Sequence, residues 1–350
     1  MGKANKAQRI FGTVRAFSER GTMLSKHDLE SFSDSKTLDE FITRLKNTSY
    51  VNSLSKIQQP INSEKIETAL KEDLFNFHSS MTKISKKDLV NAYYRKYILW
   101  NLKIILKSKA LGKTYDDIFP HINMHAEELI GRRDIIVKAL IAKDLDEAVS
   151  ALQTSEFGSE ISSAAQLYKE NNNIQTFELY LDKIYYKGLV SAFANIGKPA
   201  VLQPLVSLDL DYYNVSSTLR AKYWNLPEEH IKSLRIATTS RVNEDILNKM
   251  IHADSVRQAI SEFSKTVYKD IVPNQGNEND ISVISEIETR FERLIYKKSM
   301  ALYGNIFSYA PMTAAIKLKM VEIKNLVAIA FGIEQKIDPK NIIDQLLLVE

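Results

Sequence analysis

An internal repeat is the feature that most constrains how this 350-residue chain can fold. Three asparagines, each followed 17 residues later by an isoleucine, lie at nearly equal intervals along the sequence. The pairs are Asn101 with Ile118, Asn214 with Ile231, and Asn325 with Ile342. A period of about 110 residues exceeds that of ordinary solenoid repeats, so each copy should form a small domain with its own core.

Two further landmarks precede each asparagine in the same order. The first is an apolar residue followed by glutamate, with another apolar residue three positions beyond that glutamate. Its glutamates are Glu67, Glu178 and Glu288. The second landmark begins with an apolar residue. Thr or Ser follows it after three positions, and an aromatic residue follows it after five. The three copies are Leu45-Thr48-Tyr50, Leu152-Ser155-Phe157 and Phe263-Thr266-Tyr268. Three landmarks in register predict an internal triplication.

The hydrophobic pattern is helical along almost the whole chain and predicts an all-α fold. The helix that carries the first repeated asparagine has an apolar stripe at Ile98, Leu102 and Ile105, and the other two copies have similar stripes. The residues 201–210 come closest to a strand, but the prolines within and before them favour an extended loop.

Chain length and composition suit three domains. A mass of 39.9 kDa and a hydrophobic content of 44% are enough for three cores of about 115 residues each. We therefore predict helical domains over residues 1–125, 126–238 and 239–350. No apolar run approaches the ~20 residues that a membrane-spanning helix needs, so we expect no transmembrane segment.

Motifs for catalysis or cofactor binding are scarce. The chain has no cysteine, which excludes disulfides, thiolate metal sites and a cysteine nucleophile. Gly112-Lys113-Thr114 resembles the end of a phosphate-binding loop, but Lys107 stands where that motif needs glycine. His121 and His125 have a spacing that suits a metal, yet no third ligand accompanies them. We therefore predict no cofactor and no metal, and we expect that the protein is not an enzyme.

Cations on the repeated helix are the most distinctive candidates for a functional surface. Six and eight positions after the repeated asparagine, the first two copies are basic and the third is apolar. The residues are Lys107 and Lys109, Arg220 and Lys222, and Phe331 and Ile333. One interpretation is that the cations are simply solvated. The other is that three related domains surround a common axis and present unequal surfaces to it.

The repeated helices resemble those of a known family. Tyr97–Lys109, Asp211-Tyr212-Tyr213-Asn214 with Leu219–Lys222, and Glu322–Leu326 are similar to the three signature helices of the C subunit of archaeal and bacterial V/A-type ATP synthases. The same family includes the d subunit of eukaryotic vacuolar ATPases. Val14-Arg15-Ala16 followed by Met23-Leu24 is similar to the family's N-terminal helix and turn, so the resemblance covers nearly the whole chain.

This resemblance implies a non-catalytic rotor part. It implies three helical domains around a pseudo-threefold axis, forming a funnel that sits on the membrane proteolipid ring and receives the D and F subunits of the central shaft. The protein would be peripheral, on the cytoplasmic face of the membrane. Candidate contact residues at the funnel or its rim are Lys103, Lys107, Arg220 and Lys222. Replacing Lys107 and Arg220 together by Glu should then weaken assembly without unfolding the protein.

A second hypothesis is a helical-repeat scaffold for nucleic acid or another polyanion, with an enzyme pocket between repeats as a more distant third. Such a scaffold would use the basic residues Arg95, Lys96, Lys103, Lys107 and Lys109, and its binding would be steeply salt-dependent. The 47 basic residues are nearly balanced by 43 acids, and a net charge of +4 gives this hypothesis little support.

Overall fold

Helices make up all the regular secondary structure that the computed structural model describes, over residues 3–85, 88–237, 241–274, 276, 278–306 and 308–348, which confirms the all-α prediction. The α-helices are α1 (Lys3–Thr22), α2 (Lys26–Ser33), α3 (Leu38–Leu45), α4 (Val51–Leu54), α5 (Ser63–Ser85), α6 (Asp88–Ala110), α7 (Tyr115–Ile118), α8 (Met124–Ile130), α9 (Arg133–Ile141), α10 (Leu145–Leu152), α11 (Gly158–Asn171), α12 (Thr176–Asn195), α13 (Gln203–Tyr223), α14 (Glu228–Leu234), α15 (Glu244–His252), α16 (Val256–Phe263), α17 (Asp280–Ala301), α18 (Ala310–Glu334) and α19 (Pro339–Gln345). Short 3₁₀ turns span Phe119–His121, Lys269–Ile271 and Leu302–Gly304.

The chain divides into two compact units. The first combines Met1–Val90 with Arg293–Glu350, and the second is Asn91–Glu292. In the first unit, α18 packs against α5, α1, α2 and α3. In the second, α12 packs against α11 and α13, and α13 packs against α14, α15 and α16. The long helices α13 and α18, which carry two of the repeated asparagines, are therefore central to the packing of their units.

The compact units combine parts of different predicted domains. The first unit holds the start of the chain and its end, and the second holds everything between them. The three-domain division at residues 1–125, 126–238 and 239–350 stays a prediction, and its boundary between residues 238 and 239 lies outside the described residues. What the structure does show is that equivalent segments of the three copies have the same local structure.

One such segment is an eight-residue helix whose start is capped in the same way three times. The side chains of Thr37, Asp144 and Ser255 precede α3, α10 and α16 and accept a hydrogen bond from the backbone N–H three residues on. The side chain at that third position accepts in return from the N–H just before the cap. These reciprocal pairs are Glu40 with Lys36, Glu147 with Lys143, and Gln258 with Asp254, at 2.9, 2.6 and 2.8 Å. Both bonds fix the first turn of the helix.

The Thr or Ser landmark forms the same turn in every copy. Thr48 Oγ1 donates to the carbonyl of Leu45 and accepts from the N–H of Tyr50. Ser155 and Thr266 make the corresponding two bonds in their copies. The turn ends the capped helix and buries the aromatic that follows, which is Tyr50, Phe157 or Tyr268.

Each repeated asparagine holds a distant loop against its helix by a pair of hydrogen bonds, which we call the asparagine clasp. Asn214 Nδ2 donates to the carbonyl of Ile236 and its Oδ1 accepts from the N–H of the same residue, both at 3.0 Å. Asn101 makes this pair with Asn123, and Asn325 with Leu347, always 22 residues on. The amide side chain offers a donor and an acceptor side by side, as one backbone residue requires.

The prediction of an extended loop over residues 201–210 is wrong. Helix α13 begins at Gln203, and Pro204 lies in its first turn. Proline is tolerated there because the first N–H groups of a helix have no intrahelical acceptor in any case. The proline that argued against a strand in the sequence therefore marks a helix start.

Removing one clasp should destabilise the protein without changing its charge. Asn214→Ala leaves the N–H and the carbonyl of Ile236 buried without partners, which should cost about 2–4 kcal/mol. Chemical denaturation followed by far-UV circular dichroism measures this loss. Asn195→Ala, an exposed asparagine at the end of α12, is the control and should change stability little. Equal stability of the two variants would contradict the clasp's role.

The first clasp also contains a buried carboxyl group. Asn101 Nδ2 donates at 2.9 Å to Glu127 Oε1, while Glu127 Oε2 is buried without a hydrogen-bond partner. Burial raises the pKa of Glu127 to about 7, although the Asn101 amide and the charge of Arg132 act in the opposite direction. The neutral form of this side chain is therefore favoured in the folded protein below a pH of about 7.

Replacing Glu127 should make stability less dependent on pH. The folded-state pKa lies above the unfolded value, so the stability linked to this group is present at low pH and is lost as the pH rises through about 7. Glu127→Gln keeps a neutral hydrogen-bond acceptor. It should raise the free energy of unfolding by about 1–2 kcal/mol at pH ~8 and by much less at pH ~5. The melting temperature should rise accordingly. Glu128→Gln, next to it and half exposed, is the control. A destabilised Gln variant at high pH would refute this account.

Candidate functional site

Two of the four candidate contact residues, Lys103 and Arg220, line a cleft of the second unit. The cleft has a volume of about 380 Å³ and is formed by side chains of α6, α12, α13 and α17. Its charged lining consists of Lys96, Lys103, Glu178, Asp182, Arg220 and Glu288. Its aromatic lining consists of Tyr185, Tyr186, Tyr212, Tyr213 and Trp224. Both signs of charge are present, and most of these charges are paired with one another.

Lys103 and Lys107 on α6 bind one carboxylate of α12. Lys103 Nζ lies 2.7 Å from Glu178 Oε2 and 2.8 Å from Asp182 Oδ1, and Lys107 Nζ lies 2.9 Å from Glu178 Oε1. Only 14% of the Lys103 side chain is exposed. Burial alone would raise the pKa of Glu178, but the two ammonium groups bring it down to about 2. The three groups form a charged connection between α6 and α12.

Arg220 on α13 makes the equivalent connection to α17. Its Nε and Nη2 donate to the two oxygens of Glu288 at 2.6 and 2.5 Å. This two-pronged geometry fits the planar guanidinium, and the hydrogen bonds to Glu288 raise the pKa of Arg220 although burial opposes them. The cation six residues after the clasp asparagine thus pairs with the landmark glutamate of the next copy, as Lys107 does.

The third copy lacks this ion pair. Its residue at the same register is Phe331, which is 52% exposed, and the remaining landmark glutamate, Glu67, pairs at 2.5 Å with Lys71 on its own helix. The apolar substitution noted in the sequence therefore coincides with a different pairing of the glutamate. The third copy thus differs from the other two at the position six residues after the clasp asparagine.

The cations eight residues after the asparagine have internal partners too. Lys222 Nζ donates at 2.9 Å to the carbonyl of Ile251, at the end of α15, and burial lowers the pKa of Lys222. Lys109 Nζ donates in the same way to the carbonyl of Ala142, and the third copy has the buried Ile333 here. All four candidates, Lys103, Lys107, Arg220 and Lys222, thus contribute to joining helices.

A second polar contact also joins one copy to the next. In the second unit, Tyr268 donates its hydroxyl to Asp211 Oδ2 at 2.7 Å. In the first, Tyr50 donates to Glu322 Oε1. Both acids lie three residues before a clasp asparagine. The first copy has Ile98 at that position, and the second copy has Phe157 as its aromatic, so the acid and the hydroxyl are missing together.

Several residues of these contacts belong to the sequence landmarks, but the landmarks do not identify their partners. The glutamate landmark and the cations were treated as separate features. Pairing them needs the knowledge that a helix of one copy packs against a helix of the next, which spacing along the chain does not contain. The correlated change of Lys107 and Arg220 to Phe331 was the available signal.

The described part of the chain gives no support for a metal site or a phosphate-binding loop. No cluster of three or more His, Asp or Glu side chains in these residues is arranged to hold a metal ion. Gly112 adopts a left-handed conformation, with φ of 69°, just after α6, so Gly112-Lys113-Thr114 follows a helix instead of opening one. No helix among the described residues is both long and apolar enough to cross a membrane.

These features define an all-α protein whose long, clasped helices are joined by ion pairs. The family profile described as "ATP synthase (C/AC39) subunit" matches residues 11–345. The chain therefore belongs to this family, which confirms the resemblance noted in the sequence.

Relatives that are named as the C subunit of A-type ATP synthase match along almost their full length. The protein of Pyrococcus horikoshii is 27% identical, with 94% of this chain and 87% of the relative aligned. That of Methanocaldococcus jannaschii is 22% identical, with 94% and 84% aligned. That of Methanosphaera stadtmanae is 23% identical, with 97% and 87% aligned. The similarity thus extends over both compact units.

Neutralising Glu178 should weaken the protein and change its response to acid. The folded pKa of about 2 lies below the unfolded value, so this group stabilises the protein above pH ~5 and the effect is lost as the pH falls toward ~2. Glu178→Gln should lower stability by about 1–2 kcal/mol at neutral pH, since the pair is partly exposed, and should have little effect near pH ~2. Thermal unfolding across pH measures this, with the exposed Glu229→Gln as control. A pH-independent difference would contradict the ion-pair account.

Proposed function

We propose that the protein is a non-catalytic central-rotor subunit of a V/A-type ATP synthase. It would act as a socket on the cytoplasmic face of the membrane, coupling the D and F subunits of the central shaft to the membrane proteolipid ring, for ion-driven ATP synthesis or ATP-driven ion pumping. Family membership supports the assignment to an ATP synthase. The structural observation that supports a mechanical role is the joining of helices by Lys103, Lys107 and Arg220 to Glu178 and Glu288.

A part that transmits torque needs stiffness more than reactive groups. Long helices with well-packed cores resist bending, and contacts between helices limit sliding of one along another. The asparagine clasps hold loops to the long helices, and the ion pairs connect α6 with α12 and α13 with α17. Such an arrangement is suited to carrying load. No chemical step is required of the protein itself.

Contacts within each compact unit also support a direct connection between copies. Tyr268 of the third copy contacts Asp211 on the long helix of the second, and Tyr50 of the first copy contacts Glu322 on the long helix of the third. The ion pair of Lys107 with Glu178 joins the first copy to the second. We infer three helical domains around a pseudo-threefold axis, open as a funnel.

We still propose the four cations as partner contacts, but they also have an internal role, because they join helices within the protein. Because Lys107 and Arg220 are already bound to Glu178 and Glu288, replacing them by Glu would place like charges together. The expectation that such a double variant keeps its stability therefore changes: we expect a loss of about 2–4 kcal/mol. A charge exchange separates the internal role from partner binding.

The exchange uses Arg220 and Glu288. Arg220→Glu alone should lower stability by about 1–3 kcal/mol, and adding Glu288→Arg should restore most of it, because the ion pair is rebuilt in reverse. Thermal unfolding gives the stability, and capture of purified D and F subunits gives the binding. If Arg220 contacts the shaft, the exchanged protein is stable and still binds weakly. Full recovery of both properties would limit Arg220 to its internal role.

Native mass spectrometry tests the function as a whole. The chain is mixed with purified D and F subunits and then with detergent-solubilised proteolipid ring. A one-to-one-to-one complex that also captures the ring is the expected result. Failure of the folded chain to bind either, together with steeply salt-dependent binding to nucleic acid, would overturn the proposal in favour of the polyanion scaffold.

A further inference from the structure

Helix α1 presents its large apolar side chains outward. Ile10, Phe11, Val14 and Phe17 are exposed at 43, 62, 62 and 39%. On a helical wheel these four residues lie within an arc of about 120°, so they form one stripe along the helix. We call this set the α1 stripe. A helix on the surface of a globular protein ordinarily shows the opposite arrangement, with its apolar face toward the core.

The inward side of α1 is made of small residues. Ala16 is fully buried, and Gly12 lies so close to α18 that an added Cβ would stand 2.2 Å from Met312 Sδ. Thr13 is buried as well and donates its hydroxyl at 2.7 Å to the carbonyl of Ile306. The orientation of the helix is therefore fixed by close packing that requires small side chains. Rotating the stripe inward would break these contacts.

The exposed apolar surface extends beyond the helix. Ile306, held beside α1 by the Thr13 hydrogen bond, is itself 44% exposed. The edge of Phe17 packs against the ring of Tyr303, with centroids 5.1 Å apart, and leaves the rest of its side chain at the surface. Several exposed apolar side chains on and beside one helix are a mark of an interaction site.

The charge of the helix identifies the kind of surface that would cover the stripe. Helix α1 contains five basic residues and one acid, so its net charge of +4 equals that of the whole chain, and the remaining residues are electrically balanced. Arg15 borders the stripe beside Phe11 on the wheel, and Arg20 follows Phe17 by three residues, about one helical turn, whereas Arg9 lies on the side of the buried Thr13 and Ala16. Arg15 pairs with Glu19, and Arg20 lies 4.7 Å from the ring centre of Tyr303, so both are held at the edges of the stripe.

We infer that α1 docks on the headgroup region of an anionic lipid bilayer, with Phe11 and Val14 entering the acyl boundary. An exposed apolar stripe on a helix of strongly basic net charge is the pattern of a helix that lies in the membrane interface. Arginine side chains beside it can extend to lipid phosphates while their aliphatic stems stay on the apolar surface. This docking goes beyond the proposed coupling of shaft and ring, and the chain alone should show it.

Vesicle flotation with the purified full-length chain tests the inference. Phosphatidylcholine vesicles and vesicles with about one-third phosphatidylglycerol are compared. The expected result is binding to the anionic vesicles only, reduced by added salt. Phe11→Ser with Val14→Ser should weaken binding more than about tenfold, because two side chains no longer enter the lipid. Ile141→Ser with Val267→Ser, which removes similarly exposed apolar groups elsewhere, should leave binding unchanged.

The absence of cysteine permits a second, independent readout. Phe11→Cys, labelled with an environment-sensitive fluorophore, should show a blue shift on addition of anionic vesicles, whereas a label at Ile141→Cys should not. No binding of the intact chain to anionic vesicles, or binding equal in the Ser variants, would overturn the inference. Dimerisation that the Phe11→Ser and Val14→Ser variants abolish, without vesicle binding, would assign the stripe to a second copy. None of these results requires the D and F subunits or the ring, so failure here is distinguishable from failure of the rotor proposal.

Discussion

Buried polar groups require hydrogen-bond or ion-pair partners, and this requirement determines which residues connect the copies of this protein. Each clasp asparagine is almost fully buried, and its single amide group satisfies both the N–H and the carbonyl of one loop residue. If the buried amide lacked these two hydrogen bonds, the free energy of unfolding would fall by as much as several other contacts together add to it. The clasp therefore fixes where the loop returns to the long helix. The ion pairs and Tyr–acid contacts on the same helices then join one copy to the next.

The paired substitutions among the copies follow from the same requirement. A carboxylate at the position of Asp211 or Glu322 is satisfied by a tyrosine hydroxyl and backbone N–H groups, and burial raises the pKa of Glu322 in spite of them. The copy with Phe157 has no hydroxyl to give, and Ile98 occupies the position of the acid. The acid and the tyrosine are replaced together because replacing only one of them would leave the other buried without a polar partner.

The sequence was sufficient for the helical class and for the equivalent positions, because periodicity and spacing are local properties. It was not sufficient for the pairing of Arg220 with Glu288, since these residues lie 68 positions apart on helices whose contact depends on tertiary packing. It also misled at residues 201–210, where Pro204 reads equally as a loop or as a first helical turn. The outward apolar side of α1 was not foreseen either, because an apolar pattern does not reveal which side of a helix the core will cover.

The copies differ at the position six residues after the clasp asparagine, and this difference has a mechanical meaning if the protein acts as a socket. Two copies carry a cation that is bound to the next copy's glutamate, while the third exposes Phe331 and leaves Glu67 with a partner on its own helix. A shaft that met three identical surfaces would have no preferred orientation within them. In such a socket, an exposed aromatic at one copy and fixed charges at the other two would give each orientation different contacts, and hence a different binding free energy. Divergence of the third copy would then set how the shaft is oriented, while the clasps common to all three preserve the fold.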